Sequence, residues 1–520
     1  MLLTTTLDLV LSVTVVRFIG KFSAGLARDL RLSMFNKIQR FSTQDFQKLG
    51  TSSYINRTTR DIQSLSQTIG FSMNLILMAP LMFIGSIVLA MRMNFELSLV
   101  LLGSIPFLGI AIVLMIISVS KGFTILRQTT DRLTQIIRDT LTGIRVIRAF
   151  NKSEYELKRY DEVNEGYRKL LFDLNVKFSL ITPIMMITIN FANLAVVLVG
   201  ANLVQGLQLD IGSLMAVIHY SALVLVSLLM LAFIFVMVPQ GLVAARRINE
   251  VLDQENIQKF VENERGLEKI ETVEFNNVSF KYEGAEKEML KDVNFRAKTG
   301  EKIAIIGSTG TGKSTLMNLL LRFLDTRSGE ILYNGVNIQD YTEEELRSQI
   351  AFVPQNRMLF SGTIRENLKF GNENATDEEM IEALKLAEAW EFVSSLEDGL
   401  DAHVDQKGDN FSGGQKQRLS IARALVKKAS VYIYDDSFSA LDAKTEARLR
   451  NNLKKINEDS IVFVVAQRIT SVTDATRIIV LNEGEVVGIG THDELKVTNQ
   501  IYQEIMNSQS SLEELEDTYE

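Results

Sequence analysis

The 520-residue chain contains no cysteine, so disulfide staples, thiolate metal sites, thiol catalysis and cysteine lipidation are all excluded. Histidine is nearly as scarce, with only His219, His403 and His492. A zinc centre, or a triad that needs an imidazole at a set place, therefore has very few candidates. Charge is missing from long stretches of the first half: residues 71–91, 97–120, 178–200 and 214–238 carry no Asp, Glu, Lys or Arg. A bilayer core about 30 Å thick needs roughly 20 apolar residues in a helix, so these four stretches are expected to span a membrane. Residues 1–16, apolar apart from Asp8 and followed by Arg17 and Lys21, form a fifth and shorter candidate. That stretch has neither the positive leader nor the small-residue cleavage site of a signal peptide.

What is present is 46% apolar and 23% charged, with a mean hydropathy of +0.11, a composition that calls for a membrane-embedded part. The net charge of −8 conceals an asymmetry: Lys plus Arg against Asp plus Glu stands at 24 to 15 through residue 250 and 31 to 48 beyond it, or +9 and −17. The positive charges of the first half lie between apolar runs and not on one basic face, which favours a lipid bilayer as partner and argues against nucleic acid. Lys and Arg crowd into 17–60 and 121–177, whereas the connection at 92–96 is minimal and 201–213 has neither residue. The former are expected on the cytoplasmic side and the latter outside, which puts Met1 outside too. The long basic segments lack proline, and the membrane helices are expected to run on through them.

After Arg246 and Arg247 the pattern changes, and from Val273 short apolar strands alternate with helical stretches. The expected organisation is a transmembrane domain at 1–250, a linker at 251–272, an α/β domain at 273–507 and a mobile acidic tail at 508–520. Lys302–Ile306 reads as a buried strand, followed by Gly307, Ser308, Thr309, Gly310, Thr311, Gly312, Lys313, Ser314 and Thr315 and then a helical run. This is G-x-x-x-x-G-K-S in its strand-loop-helix context. Its glycines let backbone N–H groups form an anion nest at a helix N-terminus, Lys313 suits the β and γ phosphates of ATP, and Ser314 offers a hydroxyl to Mg²⁺. The strand Val431–Tyr434 ends in Asp435 and Asp436, of which Asp435 would hold Mg²⁺ at the carboxyl edge of a parallel sheet.

Between these lie Phe352-Val-Pro354-Gln355 and Phe411-Ser412-Gly413-Gly414-Gln415-Lys-Gln-Arg418. With them, and with GIRVIRAFNKSEYELKRY at 143–160, the chain resembles over essentially its whole length the ATP-binding cassette (ABC) transporters of exporter type. The resemblance implies an α-helical transmembrane domain of the type I exporter kind, with five of six helices present, followed by an α/β P-loop ATPase. It implies a multi-pass protein of the cell membrane with its nucleotide-binding domain in the cytoplasm. Tyr282 matches the aromatic that stacks on adenine, and Gln355 the glutamine that joins Mg²⁺. Ser412, Gly413, Gly414 and Gln415 match the signature that contacts ATP on the opposite subunit, so sites would form only in a head-to-tail dimer. Ser439–Asp442 matches the loop crossing between the sites, and Phe46–Asn56 and Phe150–Tyr160 match the coupling helices. The first apolar stretch lines up with the family's second helix. A first helix and loop are therefore expected upstream of Met1, with a misplaced start favoured over a truncation.

The chain also departs from the family. Asp436 stands where the catalytic Glu is usual, and Gln467, in Val464-Val-Ala466-Gln467-Arg468, stands where the switch His is usual. A base one methylene short sits about an ångström from its place and loses on the order of a hundredfold in rate. Gln can donate to a γ phosphate but takes up no proton near neutral pH. Both changes touch hydrolysis and neither touches binding. The combination resembles the degenerate subunit of heterodimeric exporters, whose partner would carry Glu and His at these two positions. Asp405 and Gln406, where the family shows V-G-E-x-G, are expected to alter coupling in a direction left open, and Phe411 stands where Leu is usual. Within the spans Asp8, Asn190, Asn193 and His219 either line a pathway or bond to neighbouring helices. Abundant Met and Phe, 18 and 28, suit a hydrophobic small-molecule cargo and equally suit lipid contact. Three readings stay open: an exporter subunit active with a consensus partner, a slow homodimeric exporter, and an ATP-binding regulatory or structural membrane protein without transport.

Overall fold

A computed structural model describes residues 2–256 and 258–519. The chain divides into two compact units, Met1–Gln39 with Thr51–Gln254, and Arg40–Gly50 with Glu255–Glu520. The first is all helical: α1 (Leu2–Gln39), then, beyond α2 (Thr43–Leu49) of the second unit, α3 (Thr51–Asn56), a π-helical stretch Arg57–Asp61 and α4 (Ile62–Met93). There follow α5 (Phe95–Thr142), α6 (Ile144–Ala149), α7 (Ser153–Ser179), α8 (Ile181–Gln205) and α9 (Ile211–Leu252). Among the described residues four helical runs are long and apolar enough to cross a membrane: Leu2–Gln39, Thr51–Met93, Ser153–Gln205 and Ile211–Leu252. The span expected at 97–120 lies within α5, whose described apolar part is Phe95–Ile110. With 48 residues α5 is about 72 Å long, more than twice a bilayer core of about 30 Å, so it continues well past the membrane. The placement of Met1 lies outside the described residues.

The connections expected outside are short because each carries its own helix start. Asn94 alone joins α4 to α5, and its side chain accepts from the Leu97 N–H at 3.0 Å. Asp210 likewise opens α9, accepting from the Ser213 N–H at 2.9 Å. At the other end the π-helical stretch before α4 is tied to α9 by charge. Arg57 reaches Glu250 at 2.8 Å and the Arg247 carbonyl at 2.9 Å, and Arg247 pairs with Asp61 at 3.7 Å. Of the polar groups in the spans, Asn193 accepts from Ser221 of α9, which gives it the helix-bonding role; Asn190 and His219 are exposed. Each of the two expected coupling segments contains a break between helices. α2 starts on Ser42, which caps Asp45 N–H at 3.1 Å, and stops at Gly50. The second break falls at Phe150–Lys152, with Asn151 in the left-handed region, so Ser153–Tyr160 is already the start of α7.

The second unit is α/β. β1 (Thr272–Phe280) and β2 (Leu290–Lys298) precede β3 (Lys302–Ile306), α10 (Lys313–Leu320), β4 (Ser328–Tyr333), β5 (Val336–Asn337), α11 (Glu343–Ser348) and β6 (Ile350–Val353). Then come β7 (Gly362–Thr363), α12 (Ile364–Lys369), α13 (Asp377–Leu386), α14 (Trp390–Ser394), β8 (His403–Val404), α15 (Gly413–Val426) and β9 (Val431–Asp435). The chain closes with α16 (Ala443–Asn457), β10 (Ile461–Val465), β11 (Arg477–Asn482), β12 (Glu485–Gly490), α17 (His492–Thr498) and α18 (Gln500–Tyr519). β2-β1-β4-β5 form an antiparallel sheet; β12-β11-β3-β10-β9-β6 form a second, parallel except for β12. β3 is buried on both faces, as a central parallel strand must be: Ile303 and Ile305 enter one apolar core, Ala304 and Ile306 the other.

The stretch before β1 is held to this unit by two side chains. Arg322 donates to the Lys259 carbonyl at 2.9 Å and stands 4.2 Å over the Phe260 ring. Glu345 accepts from the N–H groups of Arg265, Gly266 and Leu267 at 2.7, 2.6 and 3.3 Å. Hydrogen bonds from the Thr342 N–H first, and then from Gly266, the Thr342 hydroxyl and Leu267, pull its carboxyl down to about 2 against the opposing effect of burial. The segment expected as a mobile tail begins inside α18; side chains from 510 on lie outside those described.

Candidate functional site

The carboxyl ends of β3, β10, β9 and β6 lie side by side, and the loops leaving them meet at one edge of the sheet. The loop after β3 is the Gly307–Gly312 turn, fixed from both sides. A Cβ on Gly307 would run into the Leu481 carbonyl oxygen, and one on Gly312, at φ 99°, would lie 2.8 Å from Leu290 Cδ2. Only glycine lets the backbone pass so close and still turn into α10, whose N-cap is Gly312. Thr311 Oγ1 donates to the Ser308 carbonyl at 2.9 Å and braces the turn.

Within this frame a cavity of about 260 Å³ gathers Tyr282, Thr309, Gly310, Gly312, Lys313, Ser314, Thr315, Gln355, Asp435, Asp436 and Gln467. These come from five separate stretches of chain, all expected from sequence to serve one site. Two further lining residues, Met289 and Val465, carry no polar signal and were not anticipated. Gly307, Ser308 and Thr311 stand behind the lining as its support. Lys313, 8% exposed, donates from Nζ to the Gly307 and Ser308 carbonyls at 2.7 and 2.8 Å, leaving one of its three donors for a ligand. Burial pushes its ammonium below the usual lysine range, against the pull of the Asp436 and Asp435 carboxylates. Tyr282 sets its ring edge-on to Phe280, 4.9 Å between centroids, and its hydroxyl lies 3.1 Å from Thr315 Oγ1.

Asp435 is the last residue of β9 and 6% exposed. Burial raises its carboxyl above the ordinary range, a hydrogen bond from Ser314 lowers it in part, and Asp436 raises it further. Ser314 Oγ donates to Asp435 Oδ1 at 3.1 Å. Serine hydroxyl, carboxylate and the Gln355 amide are all hard oxygen donors, a set that fits Mg²⁺. Among the described residues no cluster of three His, Cys, Asp or Glu offers a different metal site.

Asp436 follows with φ +49°, a left-handed turn that Asp tolerates, its N–H held by the Val465 carbonyl at 3.0 Å. Its Oδ2 accepts from two amides, Gln355 Nε2 at 3.3 Å and Gln467 Nε2 at 3.1 Å. The two positions that depart from the family pattern are thus bonded to each other. Ser439 Oγ donates to the Asp436 carbonyl at 3.1 Å, and Asp442 caps α16 through the Thr445 N–H at 2.9 Å.

Ser412, Gly413, Gly414 and Gln415 do not line this cavity. They open α15 instead: Ser412 Oγ accepts from the Gln415 N–H at 3.3 Å, and Gln415 Oε1 accepts from the Ser412 N–H at 2.9 Å. This reciprocal cap is a capping box of the S-x-x-Q kind. Asp405 and Gln406 lie in a turn where Lys407 takes φ +60°, and Asn410 accepts from the Asp405 N–H at 3.0 Å. A larger cavity of about 640 Å³, near Lys428, Ser430 and Ser460, lies at the opposite, amino-terminal ends of β9 and β10 and holds none of the P-loop residues.

Residues 1–229 match the ABC transporter transmembrane region, and residues 290–439 match the ABC transporter family proper. An uncharacterized ABC transporter ATP-binding protein of Mycobacterium bovis is 34% identical over 98% of this chain and 88% of its own. An ATP-dependent lipid A-core flippase of Desulfotalea psychrophila is 32% identical over 96% of this chain and 87% of its own. The solved structure of a bacterial Atm1-family ABC exporter with ATP bound superposes with a TM-score of 0.80 at 26% identity, covering 98% of this chain and 91% of that one. The chain therefore belongs to the ABC transporters: it is an exporter half-transporter, a multi-pass membrane protein whose cytoplasmic nucleotide-binding domain is an ATPase coupled to transport.

Proposed function

We propose that this half-transporter works as one subunit of a heterodimer, grips ATP at its own P-loop, cleaves it slowly, and completes a partner's competent site with Ser412–Gln415. The observation that carries the reading is the Asp436–Gln467 hydrogen bond at 3.1 Å, a short carboxylate and a non-titrating amide where a general base and a switch imidazole are usual. Lys313 and the N-terminus of α10 bind phosphate; Ser314, Asp435 and Gln355 would hold Mg²⁺, which when bound neutralises charge on the transferring phosphoryl group. Asp436 is placed to accept the proton of an attacking water but is one methylene short, and Gln467 orients without moving a proton. The cavity's 260 Å³ is below the roughly 300–1,000 Å³ of complete small-molecule sites, which suits a site finished by another subunit. The flippase relative, together with the many Met and Phe side chains, supports lipid-like or other apolar cargo.

The test is the ATPase activity of the full chain, alone and with a partner carrying Glu and His at these positions, and transport by the pair into inverted vesicles. The reading expects hydrolysis in the pair at about a hundredfold the rate of the chain alone. Equal rates favour the slow homodimer, to which the intact cap of Ser412 and Gln415 also lends itself. Hydrolysis without transport favours the regulatory reading.

A further inference from the structure

We infer that Gln509, on α18, is a positioning residue for the hydrolytic edge of the site, an inference that rests on the role proposed for Gln467. Its side-chain amide brackets the backbone that carries Gln467. Nε2 donates to the Gln467 carbonyl at 2.7 Å, and Oε1 accepts from the Ile469 N–H at 2.8 Å. One primary amide thus satisfies a C=O and an N–H two residues apart, as a neighbouring strand would. β10 has ended at Val465 by then, and the next regular element is the turn Ile469–Ser471, so the switch residue sits on backbone that leaves the sheet ladder.

The far end of that turn is held from elsewhere. Ser471 Oγ donates to Glu446 at 2.6 Å, and Arg450 donates to the Thr470 carbonyl, both from α16. Gln509 reaches the near end, at residues 467 and 469. α18 itself is anchored upstream: Tyr502 is fully buried with its hydroxyl 2.7 Å from His492 Nδ1, and Ile501, Ile505 and Met506 pack on the domain core. The helix therefore offers Gln509 from a fixed base. The Gln467–Asp436 bond, at 3.1 Å, does not survive a backbone shift of about an ångström, and a catalytic group misplaced by that much loses up to about a hundredfold in rate. The C-terminal helix is by this account part of the ATPase machinery: it sets where Gln467 stands without touching nucleotide.

The experiment uses the full chain in lipid nanodiscs and single-turnover hydrolysis of bound ATP, which reads slow sites as well as fast ones. Gln509→Ala is expected to slow that step about tenfold while leaving the ATP Kd within twofold, because two hydrogen bonds to the switch backbone are lost and none to ligand. In a Gln467→Ala background the same change is expected to cost nothing more, since Gln509 acts through Gln467. Hydrogen exchange at the Ile469 amide is expected to speed up in Gln509→Ala. Equal losses in both backgrounds, or an Ile469 amide that exchanges no faster, overturns the proposal. A fast wild-type turnover would instead count against the slow-site reading, and leaves the cycle on Gln509 readable.

Discussion

At the floor of the P-loop cavity Lys313 and Asp435 are almost wholly buried and fixed by strand ends and a glycine-bearing turn, whereas at its lip Gln355, Asp436 and Gln467 hold one another through side-chain amides and one carboxylate. The floor is backbone architecture: to change it, Gly307 would have to clear the Leu481 carbonyl and Gly312 would have to give up φ 99°. The lip is side-chain architecture, and a Glu or His could be exchanged there without moving a strand. Binding can therefore stay intact in a site whose hydrolysis drifts. The two functions separate because different levels of structure carry them.

Substitutions can break this contrast or sharpen it, beginning at the floor. Lys313→Ala removes a buried cation that meets phosphate with charge-assisted hydrogen bonds, and is expected to weaken ATP binding about a thousandfold by equilibrium titration. At the lip, Asp436→Glu combined with Gln467→His is expected to raise single-turnover hydrolysis about a hundredfold with the ATP Kd little changed. A gain in affinity of similar size would mean that the lip takes part in binding as well.

A finer effect is in the pH profile. Among the described residues no imidazole lines the cavity, so wild-type hydrolysis is expected to show no step near pH ~6.5, and Gln467→His is expected to introduce one. The smallest effect is on stability. Burial raises the Asp435 carboxyl, so the folded domain binds that proton more tightly than the unfolded chain, and its ionised form at neutral pH costs stability that is recovered as pH falls. Asp435→Asn is expected to raise the nucleotide-free Tm by about 2–4 °C, while Mg²⁺-dependent hydrolysis is lost. A fall in Tm would place the floor's stability in the Ser314–Asp435 bond and not in the burial of charge.

Much of the site was legible because its parts are local in sequence. Lys302–Thr315 carries strand, turn and helix start in one run, and Val431–Asp436 carries a strand and its terminal carboxylates. The apolar runs were equally plain, since a bilayer demands length without charge and chain statistics rarely supply it. What stayed hidden were single side chains acting across long separations on backbone groups. Glu345 gathers three N–H groups from 265–267, and Gln509 spans about forty residues to reach Gln467 and Ile469. Neither has a spacing or residue pattern that marks it. The acidic C-terminal stretch expected as a mobile end starts within α18, and its charge pattern says nothing of the bonds that Gln509 makes to Gln467 and Ile469.

The account's central claim is that the floor holds ATP while the lip fails to cleave it promptly. The most direct measurement is the identity of the nucleotide recovered from the purified full chain after incubation with Mg²⁺ and ATP and rapid removal of free ligand. The account predicts ATP, at about one per chain, persisting over many minutes. Recovery of ADP alone, in wild type and in Gln467→Ala equally, would contradict it.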